Sequence, residues 1–352
     1  MIAYVLDSKT LLVKDTLEFE QYLFADDIEY RNKSWITAVK QPNIQNNDFV
    51  VCKDGAETLF AGICTDYNSK NKTVDYKLTL RPMACLFDRT IFPSGAYMIR
   101  TSIEAFIVKA IEDNWIDSGD AFTDLSYLSA SASTTTPVAA SLGTISGSNG
   151  EVYNLKTFLG NAKERYGIFT DFMFSGIPSS PALAVTVRKD SAAALSIDLL
   201  TTDVVTYDET YDVDVLAKLN VRWIPDVEPD DRTFYLLNNR TISTDPDDPD
   251  RAAGVTKSIV DKSYTEAEML DAVTQEFASN KYSHRITFDV LRRSNLYDVD
   301  AYYVGRPCTV KTKSGIRTSM ITATVRESGS ATVHVELGKL KVTLIDKLRS
   351  KT

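Results

Sequence analysis

The sequence predicts a strand-dominated α+β protein of several subdomains, with two similar small β-barrels and covering helices. Three observations carry this expectation. Short apolar runs alternate with turn residues at the spacing of about 8 to 12 residues typical of barrels and sandwiches. Three longer segments place apolar residues on one helical face. Two distant stretches, Phe49 to Cys64 and Cys308 to Val325, share one pattern of apolar strand, glycine-containing turn and apolar strand.

The clearest unit runs from Asp48 to Trp115. It holds a strand over Phe49 to Lys53, a turn at Asp54-Gly55, a return strand over Thr58 to Tyr67 interrupted at Gly62, and a third strand over Thr73 to Arg81. Asp-Gly between apolar runs is a strong hairpin signal, since both central residues of a type I′ turn take positive φ. A helix over Thr101 to Trp115 follows, with Ile103, Phe106, Ile107, Ala110, Ile111 and Trp115 on one face and a capping box of Thr101 and Glu104.

Before this unit, strands are expected at Ile2 to Leu6, Leu11 to Lys14, Leu17 to Phe24 and Trp35 to Val39. After it, residues 129–150 are rich in Ser, Thr and Gly. Too poor in apolar surface to order alone, they read as a surface loop or an edge extension. A second helix carries Leu155, Phe158, Leu159 and Ala162 and stops at Tyr166-Gly167, where glycine is the usual terminator. Strands resume at Ile168 to Phe174, Ala182 to Arg188, Asp203 to Val215, Lys218 to Trp223 and Thr233 to Leu237. A third helix, Thr265 to Phe277, carries Glu268 in a second capping box and Met269, Leu270, Val273 and Phe277 as its apolar set. Strands at His284 to Leu291, Pro307 to Lys311, Ile316 to Val325, Thr332 to Leu337 and Lys341 to Leu348 close the chain. The resulting division is a barrel with its helix at 1–119, an inserted α/β subdomain at 120–215, connecting strands and a helix at 216–280, and a basic barrel at 281–352.

At 352 residues, with 43% hydrophobic and 10% aromatic side chains, the chain can bury more than one core. No apolar run reaches the roughly 18 to 20 residues of a membrane helix, and no export leader is visible. Cys52, Cys64, Cys85 and Cys308 sit in apolar runs without a CxxC pair, which fits buried thiols in a reducing cytoplasm rather than a disulfide or zinc frame. The net charge of −9 argues against nucleic-acid affinity. Its distribution is uneven: residues 281–352 hold 14 Lys and Arg against 6 Asp and Glu, leaving −17 for residues 1–280.

Chemical constellations are hard to find. The two histidines, His284 and His334, lie in strand patterns, and the chain lacks a Gly-x-Ser-x-Gly elbow, GxGxxG and GxxxxGK[ST]. The loop from Asp245 to Arg251 has Asp250 and Thr256 where a calcium hand needs Gly and Glu, so it reads as a solvated turn. Alternation puts Asp208, Asp212 and Asp214 on one strand face and Tyr211, Val213 and Val215 on the other. The acidic row fits an outer surface or the lining of a channel for an anion. Arg292, Arg293, Arg306, Lys311, Lys313 and Arg317, with Tyr302 and Tyr303 nearby, read as a docking surface for an acidic neighbour. No catalytic, cofactor-binding or metal-binding residue is assigned.

Several stretches resemble the hub proteins at the tip of bacteriophage tails and related injection machines. They are Asp48 to Trp115 with Leu78-Thr79-Leu80-Arg81 and Leu86-Phe87-Asp88-Arg89-Thr90-Ile91, and, at the far end, Ile286-Thr-Phe-Asp-Val, Tyr303-Val-Gly-Arg-Pro-Cys-Thr-Val and Gly338-Lys-Leu-Lys-Val-Thr-Leu. The resemblance implies a structural, non-enzymatic virion protein assembled in the bacterial cytoplasm. In it a homotrimer of paired barrels imitates a six-membered ring that joins the tail tube or distal tail protein to receptor-binding or tip proteins. Viral DNA would pass through the lumen without specific binding. The alternatives are a carbohydrate- or receptor-binding module and, further off, a cell-wall hydrolase.

Overall fold

The computed structural model describes residues 1–69, 75–91, 102–136, 153–211, 216–225, 228–238, 241–263, 265–278 and 284–338. Strands β1 (Ile2–Leu6), β2 (Val13–Asp27), β3 (Ser34–Ala38), β4 (Phe49–Asp54), β5 (Glu57–Ser69) and β6 (Tyr76–Pro82) form the first barrel. Their order is β1-β4-β5-β6-β3-β2 with every neighbour antiparallel, and β2 pairs back onto β1, so the sheet closes. Strand alternation explains why β4 is apolar from Phe49 to Cys52. Val50 and Cys52 point into the barrel with Val5, Phe19, Ile36, Leu78 and Leu80, whereas Phe49 and Val51 point outward under the helices.

That outer layer contains β7 (Thr90–Ile91), α1 (Ile103–Ile111), β8 (Leu128–Ala132), β9 (Tyr153–Asn154), α2 (Leu155–Tyr166), β10 (Ile168–Ser175) and β11 (Ala182–Lys189). Ile103, Ile107 and Ile111 of α1, Leu155 and Leu159 of α2, and Leu183, Val185 and Val187 of β11 share one core with Phe49 and Val51. Residues 128–132 pair parallel with β11, so the start of the small-polar segment is an edge extension; residues 137–150 lie outside the described residues.

The second barrel uses β12 (Leu195–Asp198) and β13 (Val204–Tyr211). Then come β14 (Leu216–Trp223), β15 (Asp230–Leu236), β16 (Ile242–Ser243), β17 (Val255–Asp261) and α3 (Glu266–Ala278), which form a separate four-stranded sheet under one helix. This small layer has its own core of Leu219, Val221, Phe234, Met269, Val273 and Phe277. The barrel resumes with β18 (His284–Leu291), β19 (Pro307–Thr312), β20 (Gly315–Glu327) and β21 (Thr332–Gly338), around Ile286, Phe288, Val290, Val310, Ile321 and Val335.

Ladder registers show that the barrels repeat one another. The order β12-β19-β20-β21-β18-β13 is that of β1-β4-β5-β6-β3-β2, strand for strand in chain order. Both second strands bulge by one residue against the third, at Glu20 and at Val205. Both fifth strands bulge against the sixth, at Thr65 and at Thr322. The bulged threonines even make the same bond: Thr65 Oγ1 donates to the Thr79 carbonyl at 3.2 Å, and Thr322 Oγ1 to the Glu336 carbonyl at 3.3 Å. Because bulges fix register and bend, two at matched positions are a structural signature that generic hairpins lack. Three differences stand out: β12 runs parallel to β19, where β1 is antiparallel to β4; among the described residues no ladder joins β12 to β13 as one joins β1 to β2; and the layer of β14 to β17 with α3 fills the link that is a short turn in the first barrel.

Several expectations are corrected. Leu11 to Lys14 and Leu17 to Phe24 are not two strands; β2 is one long strand because it pairs successively with β1, β3 and β20. The hairpin turn centres on Gly55-Ala56, not Asp54-Gly55. Only Gly55 has positive φ, at 56°, the type II′ pattern with glycine first. The α1 cap is Ser102, whose hydroxyl accepts from Ala105 N, so Glu104 is displaced from the capping position and serves elsewhere. The helix ends as α at Ile111 and continues as a π-turn over Glu112–Ile116. Leu270 of α3 faces solvent. Asp212, Asp214, Val213, Val215, Lys341 to Leu348 and the side chain of Glu268 lie outside the described residues.

Glu104 is buried and pins the segment after β8. It accepts from Thr134 Oγ1 at 2.9 Å, Thr136 N at 3.0 Å and Thr136 Oγ1 at 2.6 Å. Burial opposes its charge, but these donors outweigh burial and hold its pKa below the ordinary 4.5. Glu104→Ala should therefore lower unfolding free energy at neutral pH by about 2 to 4 kcal/mol, measured by urea denaturation. A depressed carboxyl stabilises above its unfolded pKa, so the difference from wild type should shrink as pH falls through the folded value.

Candidate functional site

The two barrels meet edge to edge. The end of β2 pairs antiparallel with the end of β20, from Leu23 opposite Glu327 to Asp27 opposite Ala323. Ala25 N turns away from this seam to Ser34 Oγ at 3.0 Å, so Phe24 and Asp26 direct their backbone groups at β20. The seam is covered: Thr324 is 9% and Ala323 7% exposed. Arg292 braces it by donating to the Glu327 carbonyl at 2.6 Å and the Tyr22 hydroxyl at 3.3 Å.

Beside the seam opens a cleft of about 600 Å³ where α2, β2, β10 and β11 converge. Lys163 of α2 is buried in it, with its ammonium 4.5 Å from the Tyr30 ring and 5.6 Å from the Phe169 ring. Burial works against that charge, but Tyr30, Asp26 and Asp171 outweigh it and keep Lys163 protonated. Asp26 is pushed up by burial and drawn back by Lys163. Arg188 bonds Asp171 at 2.5 Å, and Tyr303 donates to Asp190 at 2.6 Å. Alternating charges against aromatic rings make this a rigid joint, with each ion balanced by a neighbour.

Sequence singled out other residues, and the fold separates most of them. His284 and Ile286 point into the second barrel, whereas Asp289, one pleat out of step, points outward with His334. The two histidines therefore occupy opposite faces of one sheet and cannot join one constellation. His284 Nε2 lies 2.8 Å from Ser319 Oγ, both buried. His334 Nδ1 lies 3.0 Å from Asp289, which also accepts from Thr206 at 2.6 Å.

The four cysteines are buried free thiols. Burial raises Cys64 and Cys308 to about 12 and raises Cys52 and Cys85 as well, so none is a thiolate nucleophile at neutral pH. The loop at Asp245 turns on its own side chains: Asp245 accepts from Asp247 N at 2.9 Å and Asp248 from Asp250 N at 2.9 Å. Among the described residues no cluster of three or more metal-ligating side chains occurs.

Several of the basic residues are engaged within the chain, and Lys311, Lys313 and Arg317 share the β19–β20 hairpin. Arg306 donates to the Ala193 and Ala301 carbonyls, Lys311 pairs with Asp198 at 2.7 Å, and Arg317 stacks 4.4 Å from the Tyr211 ring. Arg293 and Lys313 remain exposed. Of the acidic row, Asp208 is exposed on β13. Sequence reading missed Lys163 and gave Glu104 a capping role in place of the buried one it has. Both occupy helical positions where charge is unremarkable, and their burial comes from elements far along the chain.

No protein-family model matches the sequence, and no curated protein matches it. Solved structures do match over nearly its whole length. A tail protein of Neisseria meningitidis is 11% identical with a TM-score of 0.52 over 98% of each chain. The 43 kDa tail protein of prophage MuSo2 from Shewanella oneidensis is 11% identical with a TM-score of 0.54 over 96% of each chain. The prophage tail protein gp18 of Listeria monocytogenes is 10% identical with a TM-score of 0.56, covering 99% of this chain and 97% of that one. The chain shares its whole-length fold with these tail proteins, two of them from prophages.

Proposed function

We propose that this protein is a structural hub at the tip of a phage tail or related injection machine. Three copies form a ring of six alternating barrels that joins the tail tube to the tip and surrounds the DNA exit path. The matched barrels carry the reading: a chain with two units of the same strand order and matched bulges lets a three-fold assembly present six similar faces to a six-fold neighbour. Exposed acids such as Asp208 suit a lumen that lets an anionic polymer slide without sticking. The work is mechanical, so the reading assigns no residue to catalysis. Mass measurement of the full-length protein, from micromolar to near-millimolar concentration, should find a homotrimer. A stable monomer throughout that range overturns the proposal.

A further inference from the structure

The seam between the barrels defines an interface that each chain shows only once. Each barrel contributes a second strand and a fifth strand, and the matched bulges align them residue by residue. Tyr22 corresponds to Tyr207, so Phe24, Ala25 and Asp26 correspond to Glu209, Thr210 and Tyr211. Cys64 corresponds to Ile321, so Tyr67, Asn68 and Ser69 correspond to Thr324, Val325 and Arg326. Within the chain, the second strand of barrel one pairs with the fifth strand of barrel two. The reciprocal pair, the second strand of barrel two and the fifth strand of barrel one, is unmade.

The two unused edges look like halves of that seam. Thr324 is 9% exposed, whereas its counterpart Tyr67 is 41% exposed, and Asp66, Asn68 and Ser69 are also exposed. Thr210, the counterpart of buried Ala25, is exposed too. The contacts on the outer edge of β5 run as far as Cys64, whose N–H donates to the Asp48 carbonyl at 2.8 Å and whose carbonyl accepts from Asn47 N at 2.9 Å; past it the edge is open to another strand.

We propose that β13 of one copy adds to the β5 edge of the next in the register of the internal seam, with Glu209 opposite Ser69, Thr210 opposite Asn68 and Tyr211 opposite Tyr67. The occupant is a second copy of this chain, because the internal seam already shows that such a strand end fits such an edge. The contact is head-to-tail, and it closes after three copies when each adds a third of a turn. It rests on the ring reading above and specifies how that ring is sewn.

The register makes the test sharp. Ala25 opposite Val325 is the non-hydrogen-bonded position, where Cα atoms lie about 4.5 Å apart, within disulfide reach. Thr210→Cys combined with Asn68→Cys should therefore cross-link between chains under a mild thiol oxidant, giving a covalent ladder that ends at the trimer. Neither single variant should do so, since the native thiols are buried. Ala25→Cys with Val325→Cys should cross-link within one chain. Tyr67 corresponds to Thr324, whose backbone groups face β2, so Tyr67→Pro removes the equivalent outward N–H and should abolish the trimer while leaving circular dichroism unchanged. A trimer that forms without the inter-chain cross-link and survives Tyr67→Pro overturns the strand pairing but not the hub. A wild-type monomer at all concentrations overturns both.

Discussion

Gly338→Val should destabilise the second barrel by about 4 kcal/mol or more. Gly338 ends β21 with φ +69°, and a Cβ there would lie 2.2 Å from the His284 carbonyl oxygen and 3.0 Å from its ring. Both obstacles are hard. The conformation is unfavourable for any L side chain and worst for a β-branched one, and the first atom met is backbone in the partner strand. The Gly338 carbonyl also accepts from Thr322 Oγ1 at 2.8 Å, so displacement loosens the bulge that sets the register of β20. The midpoint in urea should fall sharply. Gly329→Asn is the control: φ is +77° there too, but nothing lies within 4 Å of the added atom and Asn tolerates this region, so the change should be small.

Lys163→Ala should cost about 3 to 5 kcal/mol at neutral pH, because it leaves Asp26 desolvated without its cation and opens a void between the Tyr30 and Phe169 rings. The sign of the pH dependence identifies the cause. Burial raises the Asp26 pKa above its unfolded value of 3.8, so its ionised form opposes folding, and removing Lys163 raises it further. The deficit should therefore be largest at high pH and shrink as pH falls through the raised value, measured as the difference from wild type in urea at pH 8 and pH 5. A deficit independent of pH would point to lost packing alone. Since Asp26 lies on the seam, the variant should also loosen the junction between barrels, seen as faster amide exchange along β2 and β20.

Local patterns were legible wherever a residue's neighbours in sequence are also its neighbours in space. The β4–β5 and β19–β20 hairpins, α2 with its Gly167 terminator and the strand over His284 to Leu291 follow from apolar spacing and turn chemistry. Errors cluster where a second partner changes the outcome. Two predicted strands became β2 because ladders to distant strands continue through its middle, and the Glu104 carboxylate left the α1 cap for threonines some thirty residues away.

The chain's own order of residues determined its class. Period-two alternation, turn residues and three amphipathic faces dictate a strand-rich protein with covering helices, since each depends on torsion and apolar spacing over a few residues. Tertiary structure decided the likeness of the barrels, the seam that joins them and the buried lysine beside it. These depend on registers between strands up to three hundred residues apart. Ladder pairing is backbone chemistry that every residue type but proline can satisfy, so it leaves little trace in side-chain identity.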